Sequence, residues 1–208
     1  MRNLHGASEP WVLKLMEIPQ LDALLGKIRH GDDVERIEAA KVLAEIESEH
    51  VIAGLSSVLR AGRQRASREA AAYALSWHKS PEAISPLLEC AADPDEQDRV
   101  RGQAIEGMAI HLSDVEETEL RRKVEDLMIS LLESPSPVLR FWSCYGLGAL
   151  ACERAVPLLR NLSAHDREVC PGWWHVREEA EDALEWIAGR PGKDRVPVHL
   201  RHSHPPRS

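Results

Sequence analysis

An all-α superhelix of about five helical hairpins is the fold class that this sequence predicts, on three observations. First, an arginine followed at three residues by a small side chain and at seven by Leu or Met recurs as Arg36/Ala39/Leu43, Arg68/Ala71/Leu75, Arg101/Ala104/Met108, Arg140/Ser143/Leu147 and Arg177/Ala180/Leu184. Offsets of three and seven share one helical face. The arginines lie 32, 33, 39 and 37 residues apart, the mark of one supersecondary unit repeated as a solenoid. Second, aromatic content is only 4%, alternating runs of Val, Ile, Thr or Tyr are absent, and Ala, Leu, Glu and Arg dominate, as helices prefer. Third, a separate apolar helix precedes each arginine segment.

The first helices are predicted over Ile18 to Arg29, Val51 to Arg60, Pro81 to Ala92, Glu119 to Glu133 and Arg154 to Leu162. Their apolar positions, for example Leu21/Leu24/Leu25/Ile28 and Val124/Leu127/Met128/Leu131, follow the three-and-four spacing that gives a helix one face to bury. The second helices are predicted to begin near Asp33, Ser67, Asp98, Pro137 and Trp173. Asp33, Asp98 and Ser136 are of the type that caps free amides, and Pro137 suits a first helical position. The turn segments HGDD, AGRQ, DPDEQD and SPSP are short polar breakers. About seven extra residues near Ser113 to Glu119, and the insert Ser163 to Gly172, lengthen the third and fifth units; such insertions go to loops and often serve binding.

The organisation expected is an N-terminal cap segment (1–17), one solenoid (18–189) and a flexible basic tail rich in His and Pro (190–208). With 208 residues at 43% hydrophobic content, the chain supports a single sizeable core. No stretch reaches the ~18 to 20 uncharged residues of a membrane span, and the start MRNLHGASEPWVLKL lacks a signal-peptide pattern. A cytoplasmic protein is expected, with Cys90, Cys144, Cys152 and Cys170 as reduced, mostly buried thiols. The net charge is −8, and residues 1–189 hold 21 basic against 33 acidic residues, a net −12. That balance disfavours a phosphate backbone and favours a basic partner.

The repeat resembles HEAT repeats, in particular the short variant named after phycobilin lyases, in which an Asp-Pro turn leads into a "VRxxAAxAL" helix. Asp93-Pro94-Asp95-Glu96-Gln97-Asp98-Arg99-Val100-Arg101-Gly102-Gln103-Ala104 matches it best, with Val176-Arg177-Glu178-Glu179-Ala180 and Arg68-Glu69-Ala70-Ala71-Ala72 next. The resemblance covers residues 18 to 189. The family's turn acid, six residues before the arginine, stands only at Asp95; His30, Gly62, Ser134 and Pro171 hold that place elsewhere. The family hosts adaptors, inhibitors and a few enzymes, so function must come from the site.

In such repeats the second helices line the concave side. Positions two, five and nine after each arginine point away from the core and form the candidate surface. Of nine aromatic residues only Trp11 lies outside the predicted second helices. The predicted partner-binding set is Tyr73, Trp77, Glu106, Trp142, Tyr145, Trp173, Trp174, Glu179, Asp182 and Trp186, with the rings as anchors and the carboxylates orienting a basic partner. Phe141 is the ring most suited to filling a gap between helices. His165, Asp166, Cys170 and His175 are of metal-ligand type, but their spacing matches no standard site, and no metal or cofactor is expected. His78 and His111 share a repeat position near helix C-termini, where the dipole favours a protonated imidazole.

No HExxH, P-loop, GxGxxG or nucleophile elbow occurs, and no His-Glu dipeptide of the kind found in HEAT-like deoxyhypusine hydroxylases. The sequence therefore predicts a protein–protein scaffold or adaptor rather than an enzyme. Immunity or inhibitor proteins that mask basic toxin domains are the specific resemblance. The alternative is a concave-groove enzyme similar to HEAT-like alkylpurine DNA glycosylases or to phycobilin lyases.

Overall fold

A computed structural model describes residues 17–116 and 118–203, with side chains described through 201. Trp11 and nearly all of the expected N-terminal cap lie outside these residues. Ten α-helices occur among them, and no strand. They are α1 (Ile18–His30), α2 (Asp33–Ala44), α3 (Glu49–Ala61), α4 (Arg65–Trp77), α5 (Ile84–Ala92), α6 (Asp98–Leu112), α7 (Glu119–Leu131), α8 (Pro137–Ala149), α9 (Val156–His165) and α10 (Val176–Ile187).

Where the sequence reads one solenoid, the chain divides into two compact units, Met1–Pro86 and Leu87–Ser208. In the first, α2 packs on α4, while α1 and α3 cover them. Leu21, Leu25, Ile28, Leu43, Val51, Leu55 and Leu75 form its core. In the second, α8 is central: it packs against α6 and α10 in its own layer and against α7 behind, and α9 backs α10. Ile105, Met108, Met128, Phe141, Leu147 and Leu159 are buried there. The arginine-bearing helices thus form the inner layer of each unit, because their alanine stripe lets backbones approach. Gly148 on α8 marks one such close approach, since a Cβ there would lie 2.7 Å from the Ala183 Cα of α10.

Several caps differ from expectation by one residue. The cap of α2 is Asp32, not Asp33: its carboxylate accepts from Glu35 N–H at 2.9 Å, and the Glu35 side chain accepts from Asp32 N–H. This reciprocal box satisfies two orphan donors. Asp98 is the first helical residue after Gln97, and Ser136 makes no side-chain cap bond. Asp32→Ala is expected to cost about 1 kcal/mol of stability, read from urea unfolding; Asp33→Ala is expected to cost less.

Three of the recurring arginines have a main-chain role that their spacing does not reveal. Arg68 donates to the Gly62 carbonyl at 2.8 Å and Arg140 to the Ser134 carbonyl at 2.7 Å. Arg101 Nε reaches the Ala91 carbonyl at 3.0 Å. In the second and fourth repeats the arginine thus bonds the main-chain oxygen of the residue that stands at the turn-acid position, so Gly62 and Ser134 serve there without a carboxylate. His78 is buried, with Ser80 N–H donating to its Nδ1 at 3.0 Å and its Nε2 against the Ile46 carbonyl at 2.9 Å. One ring nitrogen accepts and the other donates.

Residues after Arg190, expected as a flexible tail, follow a defined path through residue 203. Pro191, Gly192 and Pro197 prevent a long helix, and the segment runs along α10 to a short 3-10 turn, Val198–Ser203. Residues 204–208 lie outside the described residues.

Candidate partner-binding site

Six rings of the second unit form one contiguous ladder. Along its length Trp186 meets Tyr145 (5.8 Å between centroids), Tyr145 meets Trp142 (5.7 Å), and Trp142 meets Trp173 (5.5 Å). Trp173 then meets Trp174 (5.4 Å), and Phe141 lies beneath Trp142, Trp173 and Trp174 at 5.4 to 6.0 Å. Most contacts are edge-to-face, the arrangement that ring quadrupoles favour. The helices place these rings in the seams between them. Trp142 of α8 crosses to α6, where Gly102 leaves room: a Cβ there would lie 2.6 Å from Trp142 Cδ1. Trp186 of α10 reaches back against Gly148 of α8.

Exposure grades the ladder. Phe141 is 1% exposed and is its seat. Trp142, Tyr145, Trp174 and Trp186 are half-buried, and Trp173 is 39% exposed at the end. Trp173 and Trp174 do not belong to a helix as expected. Pro171 and Gly172, the latter at φ +89°, turn the chain, and Val169 pairs with His175 in an isolated antiparallel bridge. Helix α10 therefore starts only at Val176, and the two indoles stand on the loop before it.

The carboxylates correct the sequence reading. Glu179 and Asp182 are both 2% exposed and do not stand on an open rim. Trp174 Nε1 donates to Glu179 Oε2 at 2.8 Å. Burial pushes the Glu179 carboxyl up to about 7, helped by the Asp182 charge and opposed by the Trp174 hydrogen bond and Arg195. Asp182 is held by Arg195 Nε at 2.7 Å and by Lys193 N–H at 3.0 Å. Glu106 on α6 is half-buried and accepts from Gln103 at 2.7 Å; burial raises its carboxyl despite that bond. Burial, then the charges of Glu106 and Glu179, raise the Tyr145 phenol. Face-pointing positions on a helical wheel thus include sites that segments outside the helix cover, Trp174 before it and Arg195 after it, which the wheel does not see.

In the first unit Tyr73 and Trp77 share α4 at 6.4 Å, and Trp77 is 50% exposed. An open groove of about 430 Å³ lies in that unit among Glu47, Glu49, Ile52, Lys79, Ser80 and Glu82, and neither ring lines it. The loop residues of metal-ligand type disperse. Asp166 pairs with Arg140 at 2.7 Å, His165 with Asn161 at 2.9 Å and His175 with Glu178 at 3.0 Å. Cys170 is buried with its thiol pushed up to about 12, first by burial and then by Glu179, so it is no nucleophile at neutral pH.

Arg195, which holds Asp182, is an anchoring residue that repeat spacing does not single out. Its signal in the sequence is four acids, Glu178, Glu181, Asp182 and Glu185, at one-face spacing on α10 just before a segment carrying Arg190, Lys193 and Arg195.

The family of HEAT repeats matches over residues 21–109. No curated protein matches the sequence. Among solved structures the chain is similar to one in the complex of CpcE and CpcF of phycocyanin lyase from Nostoc sp. PCC7120. The TM-score is 0.67 at 17% identity, over 81% of this chain and 99% of that one. Residues 21–109 thus match HEAT repeats, and the fold of the chain is an all-α superhelix similar to that of the solved structure.

Proposed function

We propose that this protein is a partner-binding HEAT module whose principal contact surface is the ring ladder of the second unit. The observation that carries the reading is the graded ladder itself: a buried Phe141 seat, four half-buried rings and an exposed Trp173 end. Pre-packed Trp and Tyr side chains lose little entropy on docking, and these residue types dominate interface energetics. The net charge of −8 favours a protein partner with a basic surface, and masking a basic toxin domain is one task such a surface can perform. The complex of two chains in which the similar fold was solved agrees with protein partnering. Glu179 and Asp182 are engaged internally, which favours binding over acid–base catalysis on a substrate.

Affinity capture from native lysate with the tagged full chain, followed by titration of the captured partner, tests the reading. Trp173→Ala and Trp142→Ala are each expected to weaken the complex by about 2 kcal/mol, near thirtyfold, with unchanged helical circular dichroism. Unchanged affinity in both variants overturns it.

A further inference from the structure

Helix α10 carries Glu178, Glu181, Asp182 and Glu185 on one face, and the chain's own basic segment lies on that face. Arg195 is the main anchor: its side chain is 9% exposed and meets Asp182 at 2.7 Å, Glu181 at 3.1 Å and Glu178 at 3.4 Å. It also donates to the Glu178 carbonyl at 2.8 Å. Arg201 reaches Glu178 at 2.8 Å and Lys193 reaches Glu181 at 3.0 Å. Burial pushes the Glu178 carboxyl up, but hydrogen bonds from Arg201 and His175 more than offset it and hold the group down at about 2.

The same segment touches the ladder. Gly192 lies so close to the Trp186 indole that a Cβ would sit 2.8 Å from its Nε1, and Val198 N–H donates to the Trp173 carbonyl at 2.9 Å. None of its apolar residues is fully buried: Pro197 and Val198 are half-buried, and Val196 and Leu200 are 44% and 41% exposed. The attachment is therefore a charge clamp with little apolar burial, unlike the helix-to-helix packing of the unit.

We propose that residues 190–201 are a releasable strap, an internal competitor that occupies the α10 surface until an arginine-bearing segment of a partner displaces it. Arg195 stands where the partner's guanidinium goes. Release uncovers Asp182, Glu181 and the edge of Trp186 together, which restores the acidic and aromatic face expected from the sequence. Asp182 is hydrated when the strap leaves, so its charge is never buried alone, and opening avoids the penalty of an unpaired interior carboxylate. A tethered competitor also sets a threshold, because an incoming segment must overcome the strap's effective concentration. The displacing partner is the one under Proposed function, but strap release itself is readable without it.

The test uses the full chain and a fluorescein-labelled peptide spanning residues 190–203. Wild type is expected to bind it weakly and Arg195→Ala about tenfold or more tighter, while adding Asp182→Asn removes the gain. Equal binding by wild type and Arg195→Ala overturns the proposal, as does loss of helical circular dichroism in Arg195→Ala, which makes the segment structural. Hydrogen exchange on wild type gives a second reading. Excess unlabelled peptide should deprotect the Lys193 and Val198 amides while the amides of α10 stay protected. If the two sets exchange only together, the strap does not open separately. Peptide exchange can fail while Trp173→Ala still weakens the partner complex, so the two readings fall independently.

Discussion

Phe141→Ala is expected to lower the unfolding free energy by about 3 to 5 kcal/mol, the range for emptying a buried aromatic site. Phe141 is 1% exposed on the central helix α8, and the rings of Trp142, Trp173 and Trp174 stand on it. The loop indoles have few other means to collapse into the gap, because the Val169 and His175 bridge fixes the loop above them. Phe141→Leu, which keeps most of the volume, is expected to cost about 1 kcal/mol. Urea unfolding at neutral pH measures both. A Phe141→Ala loss below about 1 kcal/mol would mean that the rings repack freely, and the ladder would then be too soft to serve as a preformed anchor. The same substitution should weaken partner binding more than Phe141→Leu does, through disorder of Trp173 rather than through any contact of its own.

Much of the inner layer is legible in the sequence because helix periodicity reports burial directly. The three-and-seven pattern around Arg36, Arg68, Arg101, Arg140 and Arg177 places five helices, and the preceding apolar runs place their partners within a few residues. Phe141 fills a gap, as its position suggests. What is not legible depends on contacts between distant stretches. Glu179 and Asp182 sit at positions two and five after Arg177, which point outward on a wheel, yet Trp174 and Arg195 cover them. The start of α10 lies later than the pattern suggests because Trp173 and Trp174 look like helix residues, whereas Gly172 at positive φ and the bridge to Val169 commit them to a turn. The segment after Arg190 reads as disordered by composition; its order comes from charge pairing with α10, a complementarity that composition does not encode.

Glu179→Gln is expected to flatten a pH dependence that wild type carries. In the folded chain burial holds the Glu179 carboxyl at about 7, against an ordinary value of 4.5. Below pH 4.5 both folded and unfolded chains bind the proton, and the group leaves stability at its full value. Between 4.5 and 7 the unfolded chain releases the proton while the folded chain keeps it, so stability falls as pH rises. Above 7 both are ionised, and the accumulated loss is about 3 kcal/mol, at ~1.4 kcal/mol for each pH interval of one between the unfolded and folded values. A neutral amide keeps an oxygen acceptor for Trp174 Nε1 and carries no charge to desolvate. The variant should therefore be more stable than wild type at pH 8 by about 3 kcal/mol and nearly equal to it at pH 4.5. Urea unfolding of both proteins from pH 4.5 to 8.5 gives the difference curve, in which groups common to the two, Glu178 included, cancel. A flat difference would show that Glu179 is ionised and well solvated in the folded chain. Arg195→Ala should steepen the wild-type dependence if the strap stays closed, since Arg195 lowers the Glu179 value. If the strap opens, water reaches α10 and the dependence weakens, so the same titration reports on the strap from inside the ladder.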